Sequence, residues 1–126
     1  MRRYLIDSHV IVWWLSDPAR LTQAARAAIS DPAHQVCFSA ASVWELGLKI
    51  AKGKLRMPMS FPTLLEAEGF ASLPVTTPHA VRALELPPLH QDPFDRMLVA
   101  QALEEDLVFI TRDEHILSYS LKLLKA

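Results

Sequence analysis

Apolar runs of three residues, each followed at once by a polar or acidic residue, alternate along the chain with longer stretches whose apolar positions recur every three or four residues. Tyr4-Leu5-Ile6, Val36-Cys37-Phe38 and Val108-Phe109-Ile110 are of the first kind. They predict strands covered on both faces, because such a strand has no solvated side on which to alternate polar residues. Between them, Val10 to Leu15 predicts a short helix ended by Asp17-Pro18, and Thr22 is placed to cap a second helix that runs through Ile29 and stops at Asp31-Pro32. Ser39 is placed to cap a helix from about Ala40 to Lys52, with Gly53 as its terminator. On that helix Val43, Leu46, Gly47 and Ile50 share one stripe, and Glu45, Lys49 and Lys52 another, so Glu45 leaves the core face.

The middle of the chain is less regular. Met57 to Pro62 reads as a connection, Leu64 to Gly69 as a short helix and Leu73-Pro74-Val75 as a peripheral strand. Thr77-Pro78 reads as a cap and first-turn proline for a helix through Leu86, after which Pro87-Pro88 enforces extension. Asp92-Pro93 repeats the device and opens a helix to about Glu105, with Leu98, Val99 and Ala102 on its buried side. Tyr119 to Leu124 is expected to add an edge strand or a docked tail. Strands alternating with helices, without tandem repeats, predict an α/β domain with a mainly parallel sheet and helices on both faces. In such open sheets ligands bind beyond the carboxyl ends of the strands, where strand order reverses. Asp7 and Asp113 stand just past two such ends.

Composition narrows the picture only a little. The 126 residues are 51% hydrophobic, enough for one compact domain with a core of its own. Thirteen lysines and arginines against 14 aspartates and glutamates give neither the broad positive field of many nucleic-acid binders nor an acidic excess. The lone Cys37 cannot form an internal disulfide and sits in an apolar run, which fits a buried thiol in a reducing compartment. The unbroken apolar stretch Val10 to Leu15 falls far short of the roughly 20 residues a membrane-spanning helix requires. Asp7 and His9 interrupt what would otherwise imitate a secretory signal. A soluble, cytoplasmic protein without membrane attachment is the expectation.

Taken singly, each acidic position has a structural role open to it. Asp92 caps its helix, and Asp95, third in that helix, meets the positive end of the helix dipole. Asp113 caps a turn over Glu114 to Leu117, and Glu45 pairs with Lys49 one helical turn on. Taken together they form a pattern: Asp7 and Asp113 follow apolar strands, while Glu45 and Asp95 lie in the opening turns of helices near the same sheet edge. If the four converge, bare charges will not do, since two carboxylates about 4 Å apart repel by roughly 4 kcal/mol at an effective dielectric of about 20. Protonation or a cation must relieve this. An all-oxygen donor set, with no cysteine and no histidine pair at zinc spacing, favours Mg²⁺ or Mn²⁺, whose natural chemistry here is phosphodiester hydrolysis.

The stretches YLIDSHVIVWWL, SAASVWELGLKIAKGKL, HQDPFDRMLVAQAL and FITRDEHI, in this order and spacing, resemble the PIN domain family and, within it, the VapC-type toxins of bacterial toxin-antitoxin pairs. The likeness spans nearly the whole chain. It implies a three-layer α/β/α fold around a central sheet of four to five strands, as a single domain over residues 1–126. It places the family's four acidic positions at Asp7, Glu45, Asp95 and Asp113, as catalytic residues and metal ligands. It further implies Mg²⁺- or Mn²⁺-dependent endoribonuclease activity on RNA, inhibition by a small antitoxin, homodimers and toxin-antitoxin hetero-oligomers.

Secondary positions follow from the same neighbourhoods. Ser8 and Thr111 flank the carboxylates, where a hydroxyl can hold a metal-bound water or a phosphate, or satisfy local backbone groups. Asp92 stands near enough to assist Asp95, although capping suffices to explain it. His90, just ahead of DPFDR, is expected to pack that loop. Arg96 and Arg112 either contact RNA phosphates or balance the acidic site as ion pairs. Trp13, Trp14 and Trp44 lie in apolar helical stripes and are expected in core, dimer or antitoxin contacts rather than under stacked bases. Two other readings compete with a nuclease. One is a PIN-like scaffold that binds RNA or protein without catalysis, against which the complete carboxylate set argues. The other is a Mg²⁺-binding phosphoacceptor signalling domain. It requires an acidic pair after strand one, an aspartate after a middle strand and a lysine after a late one, where this chain has Ser8, Ser39 and Thr111.

Overall fold

The computed structural model describes residues 1–88, 92–113, 116 and 122–126. The chain runs β1 (Arg3–Ile6), α1 (Ser8–Ser16), a 3₁₀ turn (Pro18–Arg20), α2 (Gln23–Ser30), β2 (Gln35–Ser39), α3 (Ala40–Ala51), α4 (Phe61–Ala67), β3 (Ala71–Leu73), α5 (Thr77–Glu85), α6 (Pro93–Glu104), β4 (Val108–Thr111) and β5 (Leu123–Lys125). The strands form one sheet in the order β3-β2-β1-β4-β5, and every neighbouring pair is parallel. The chain winds from β1 out to β3 on one side, then returns to build β4 and β5 on the other. The junction between β1 and β4 is therefore the point where strand order reverses. Phosphoacceptor signalling folds of the flavodoxin type have the order 2-1-3-4-5, so this topology is a different one.

Register explains how three-residue runs build two cores. Leu5 lies between Cys37 and Phe109 in one row across the sheet, and all three join Leu98, Val99, Ala102 and Leu107 in the cluster on the α6 side. The next row, Ile6 between Phe38 and Ile110, points the other way and packs with Val10, Ile11, Ala25, Ile29, Leu46, Phe61 and Leu65 from α1 to α4. The period of two along each strand thus feeds both layers, and the fold is α/β/α with five parallel strands. Cys37 is a buried free thiol whose pKa burial pushes up. Among the described residues, no helix is long and apolar enough to cross a membrane.

Several element boundaries differ from the sequence reading, and four of the differences have a clear local reason. The first helix begins two residues earlier, at Ser8, because the Asp7 carboxylate caps it by accepting the Val10 N–H at 2.8 Å. The short helix α4 begins at Phe61 rather than Leu64, since Pro62 falls in its first turn, where no backbone N–H is needed. The third strand ends at Leu73, before Pro74, which has no N–H to give to the ladder. The cap of α5 is Thr76, not Thr77. Its hydroxyl accepts the His79 N–H, and the His79 imidazole accepts the Thr76 N–H, so histidine does here what Glu or Gln does in the usual capping box. The expected edge strand is present as Leu123–Lys125, paired to β4. His90, the turn expected over Glu114 to Leu117 and the start of the tail at Tyr119 lie outside the described residues, apart from the buried Ile116.

Candidate active site

The junction of β1 and β4 holds a buried carboxylate that is hydrogen-bonded through both oxygens, that of Asp7. Asp7 follows the last residue of β1, and its backbone N–H continues the pairing to Ile110 of β4 at 3.2 Å. Only 4% of the residue is exposed. One carboxylate oxygen caps α1, and the other accepts a hydrogen bond from the Thr111 hydroxyl. Thr111 Oγ1 also accepts the Asp113 N–H at 3.0 Å, so one buried hydroxyl ties the Asp7 carboxylate to the backbone that carries the next acidic residue. Burial pushes Asp7 above its ordinary carboxylate range, and the charge of Asp113 pushes the same way. The Thr111 hydroxyl, the Val10 N–H and His9 pull it down. Desolvation wins, as it does for a carboxyl withdrawn from water without a full counter-charge.

A cavity of about 260 Å³ opens beside this pair, lined by Asp7, His9, Trp13, Arg112 and Asp113. Glu45 approaches from α3. Its Oε1 accepts a 2.6 Å hydrogen bond from Ser8, the first residue of α1, and its Oε2 lies 3.4 Å from Lys49 Nζ. Ser8 Oγ is also 3.0 Å from Ser42 Oγ. A hydroxyl carries one proton, so with Ser8 donating to the carboxylate, Ser42 donates to Ser8, and the two serines form a relay that fixes Glu45 against α1. Asp95 stands in the first turn of α6, its N–H donated to the Asp92 carboxylate at 3.2 Å.

The structure thus brings Asp7 and Asp113 to one cavity and fastens Glu45 to the residue next to Asp7. Among the described residues it gathers no group of three acidic, histidine or cysteine side chains close enough to share one ion. The donor chemistry nonetheless suits a hard divalent cation. All four candidates present carboxylate oxygens, and the buried Asp7 carboxylate feels an unfavourable charge from Asp113 that a cation would relieve. Ser8 and Thr111 hydrogen-bond the carboxylates themselves. Asp92 caps α6 through the N–H groups of Phe94 and Asp95. Arg96 donates to the carbonyls of Ala83, Leu86 and Pro87, clasping the end of α5 to the start of α6. Arg112 donates to the carbonyls of Arg20 and Ala126 and lies over Trp13.

Of the three tryptophans, Trp13 and Trp14 pack against the first core cluster, whereas Trp44 is 65% exposed and meets Phe94 edge-on at 5.6 Å. That ring pair joins α3 to α6 beside Glu45 and Asp95. Sequence reasoning missed Ser42 and His9. A signal existed for each: Ser42 lies three residues before Glu45, hence on the same helical face, and His9 lies four before Trp13.

Replacing Thr111 with valine keeps the volume but removes a charge-assisted hydrogen bond from a buried carboxylate. We expect Thr111→Val to raise Asp7 further, to move the onset of activity to higher pH and to weaken metal affinity by about 10–100-fold, as supporting hydrogen bonds at metal sites do. An unaltered pH profile together with unaltered Mn²⁺ affinity by calorimetry would remove Thr111 from the site.

The family model of the PIN domain matches residues 4–121. The chain is 31% identical over 122 residues to ribonuclease VapC22 of Mycobacterium tuberculosis, a match that covers 94% of this chain and 93% of that one. Among solved structures, the fold is similar to VapBC2 from Rickettsia felis bound to a promoter DNA fragment, with TM-score 0.75, 12% identity and 98% of each chain covered. It is also similar to DNA-bound VapBC from Salmonella typhimurium, with TM-score 0.72, 14% identity, 99% of this chain and 98% of that one. A toxin-antitoxin complex from Klebsiella pneumoniae gives TM-score 0.70, 18% identity, 96% of this chain and 95% of that one.

Proposed function

The chain belongs to the PIN domain family, and from that premise we propose that it is a Mg²⁺- or Mn²⁺-dependent endoribonuclease, the VapC-type toxin of a toxin-antitoxin pair. The observation that carries this reading is the buried Asp7 carboxylate at the β1/β4 junction, raised by desolvation and facing Asp113 across an open cavity. A likeness at 31% identity to a protein named a ribonuclease supports the reaction class.

In the proposed site Asp7 and Asp113 hold the cation, with Glu45 and Asp95 completing the ligand set. When bound, a divalent ion lowers the pKa of a water and stabilises negative charge on the phosphoryl oxygens and leaving group. The chain's own residues prepare for this. Thr111 fixes one Asp7 oxygen and the Val10 N–H fixes the other, so the carboxylate keeps its orientation when it ionises. The Ser42-Ser8 relay holds Glu45 toward α1, and the Arg96 clasp sets the height of the α6 first turn that carries Asp95. A cytoplasmic location, a cognate antitoxin, homodimers and toxin-antitoxin hetero-oligomers belong to the same proposal, supported by similarity to VapBC complexes.

The deciding experiment incubates the purified chain with single-stranded RNA in Mg²⁺ or Mn²⁺, with EDTA as the control. We expect internal cleavage that EDTA abolishes and excess Mn²⁺ restores. Intact RNA in both metals would overturn the nuclease reading in favour of a non-catalytic scaffold.

A further inference from the structure

One ring at the cavity is held from behind and left open in front. His9 and Trp13 are four residues apart on α1, so they share the helical face that lines the cavity with Asp7 and Asp113. Trp13 is already engaged, with the Arg112 guanidinium 4.4 Å and that of Arg20 5.5 Å from its ring centroid. Arg112 is in turn pinned by donating to the carbonyls of Arg20 and Ala126. His9 leans on this fixed block, its ring 5.9 Å from that of Trp13 and tilted by 37°. The residue is exposed, and among the described residues its imidazole makes no hydrogen bond or ion pair.

We infer that His9 is a stacking platform for the nucleobase next to the scissile phosphate, an inference that rests on the nuclease reading for what occupies the acidic end of the cavity. Two residues span at most about 7 Å, so His9 lies within one nucleotide of a phosphate held at Asp7. The Arg112 guanidinium adds positive charge to the same wall, where the neighbouring phosphate must pass. With 13 basic against 14 acidic residues, the chain has no charge excess with which to grip a polyanion along its length. Stacking against a pre-packed ring is the local, sequence-tolerant alternative. A base can reach His9 only when it is unstacked from its own neighbours, so the subsite selects single-stranded RNA.

The test measures kcat and KM on a single-stranded RNA oligonucleotide in Mn²⁺ for wild type, His9→Ala and His9→Phe. It adds oligonucleotides that carry an abasic residue on either side of the mapped cleavage point. His9→Ala is expected to raise KM about tenfold, measured for each variant at the plateau of its own pH profile because losing His9 also removes a charge that pulls Asp7 down, and His9→Phe, which keeps a flat ring without its nitrogens, to restore KM. One abasic substrate should impose the same penalty on wild type and none on His9→Ala. Unchanged KM in His9→Ala, or failure of His9→Phe to restore it, overturns the subsite. Fluorescence anisotropy of the labelled oligonucleotide in Ca²⁺ separates this idea from its premise. Binding weakened about tenfold by His9→Ala without any cleavage by wild type retains the platform and sinks the nuclease. Cleavage with His9-independent binding does the reverse, and neither cleavage nor binding sinks both.

Discussion

Asp7→Asn is expected to melt above wild type in EDTA at neutral pH while losing RNA cleavage by about a hundredfold or more. The two effects have one cause. Asp7 is 4% exposed, and burial holds its carboxyl above the ordinary value of 3.8. The folded chain therefore binds that proton more tightly than the unfolded chain, so its contribution to stability is full below the ordinary value and is lost as pH rises through the raised one. Asparagine has no charge to desolvate, and its carbonyl still accepts the Val10 N–H, so the helix cap survives. The advantage of the variant should be absent at low pH and grow with pH, at about 4 °C for each kcal/mol in a chain of this size. Mn²⁺ should reverse the order, because an ion bound only to the folded wild type stabilises it by mass action. Cleavage must fall because supporting groups at metal sites are worth about 10–100-fold, and the ligand itself no less. The measurement is a set of thermal melts from pH 4 to 8 with EDTA or Mn²⁺, alongside single-turnover cleavage. A variant that melts below wild type across that range in EDTA would mean that Asp7 is not a strained carboxylate.

This strain was not legible in the sequence, although its address was. Leu5, Cys37 and Phe109 announce buried strands because each lies in an unbroken apolar run, and the residue after such a strand stands at the sheet's carboxyl edge. That places Asp7 and Asp113 on one edge without any knowledge of register. The hydroxyl of Thr111 on the carboxylate of Asp7 joins positions 104 residues apart, and no local pattern encodes it. It exists because β1 and β4 pair with Ile6 opposite Ile110, which sets Asp7 beside Thr111. Ser42 is of the same kind: a small polar residue in a helical stripe that becomes part of the site only once α1 lies against α3 and places Ser8 within reach. Conversely, the caps were legible at Thr22, Ser39 and Asp92, where a single residue type decides the geometry. They were misread at Thr76, where two adjacent threonines compete and a histidine closes the box.

The two arginines of the acidic segments make a related point. Beside Asp95 and Asp113, Arg96 and Arg112 invite reading as counter-charges. Among the described residues their guanidinium groups donate to main-chain carbonyls, those of Ala83, Leu86 and Pro87 for Arg96 and those of Arg20 and Ala126 for Arg112. A planar fork with several fixed donors suits carbonyls converging at a helix end, and a lysine could not replace it there. The consequence for the site is positional: Arg96 fixes where α6 starts, hence where Asp95 stands, and Arg112 fixes the Trp13 block on which His9 rests.

Asp95→Asn is expected to reduce cleavage by about a hundredfold and Mn²⁺ affinity by at least about tenfold, with little change in melting temperature in EDTA. Its place makes this the sharper test of the ligand set. Asp95 is half-buried in the first turn of α6, where its charge gains about 0.3 to 1 kcal/mol from the helix dipole. Asparagine forfeits that gain, which is small beside the stability of a domain. The backbone cap from Asp92 and the Arg96 clasp remain in place. A large fall in activity at an unchanged melting temperature would then not come from loss of the fold, and a parallel fall in metal affinity would assign Asp95 to the ligand set. Calorimetric Mn²⁺ titration with single-turnover cleavage decides it. If affinity and rate both match wild type, the ion is held without α6, and Asp7, Asp113 and the Ser8-bound Glu45 form the whole of the acidic site. If affinity falls with the rate, the first turn of α6 belongs to the metal centre, and an ion draws together carboxylates that mutual repulsion otherwise holds apart.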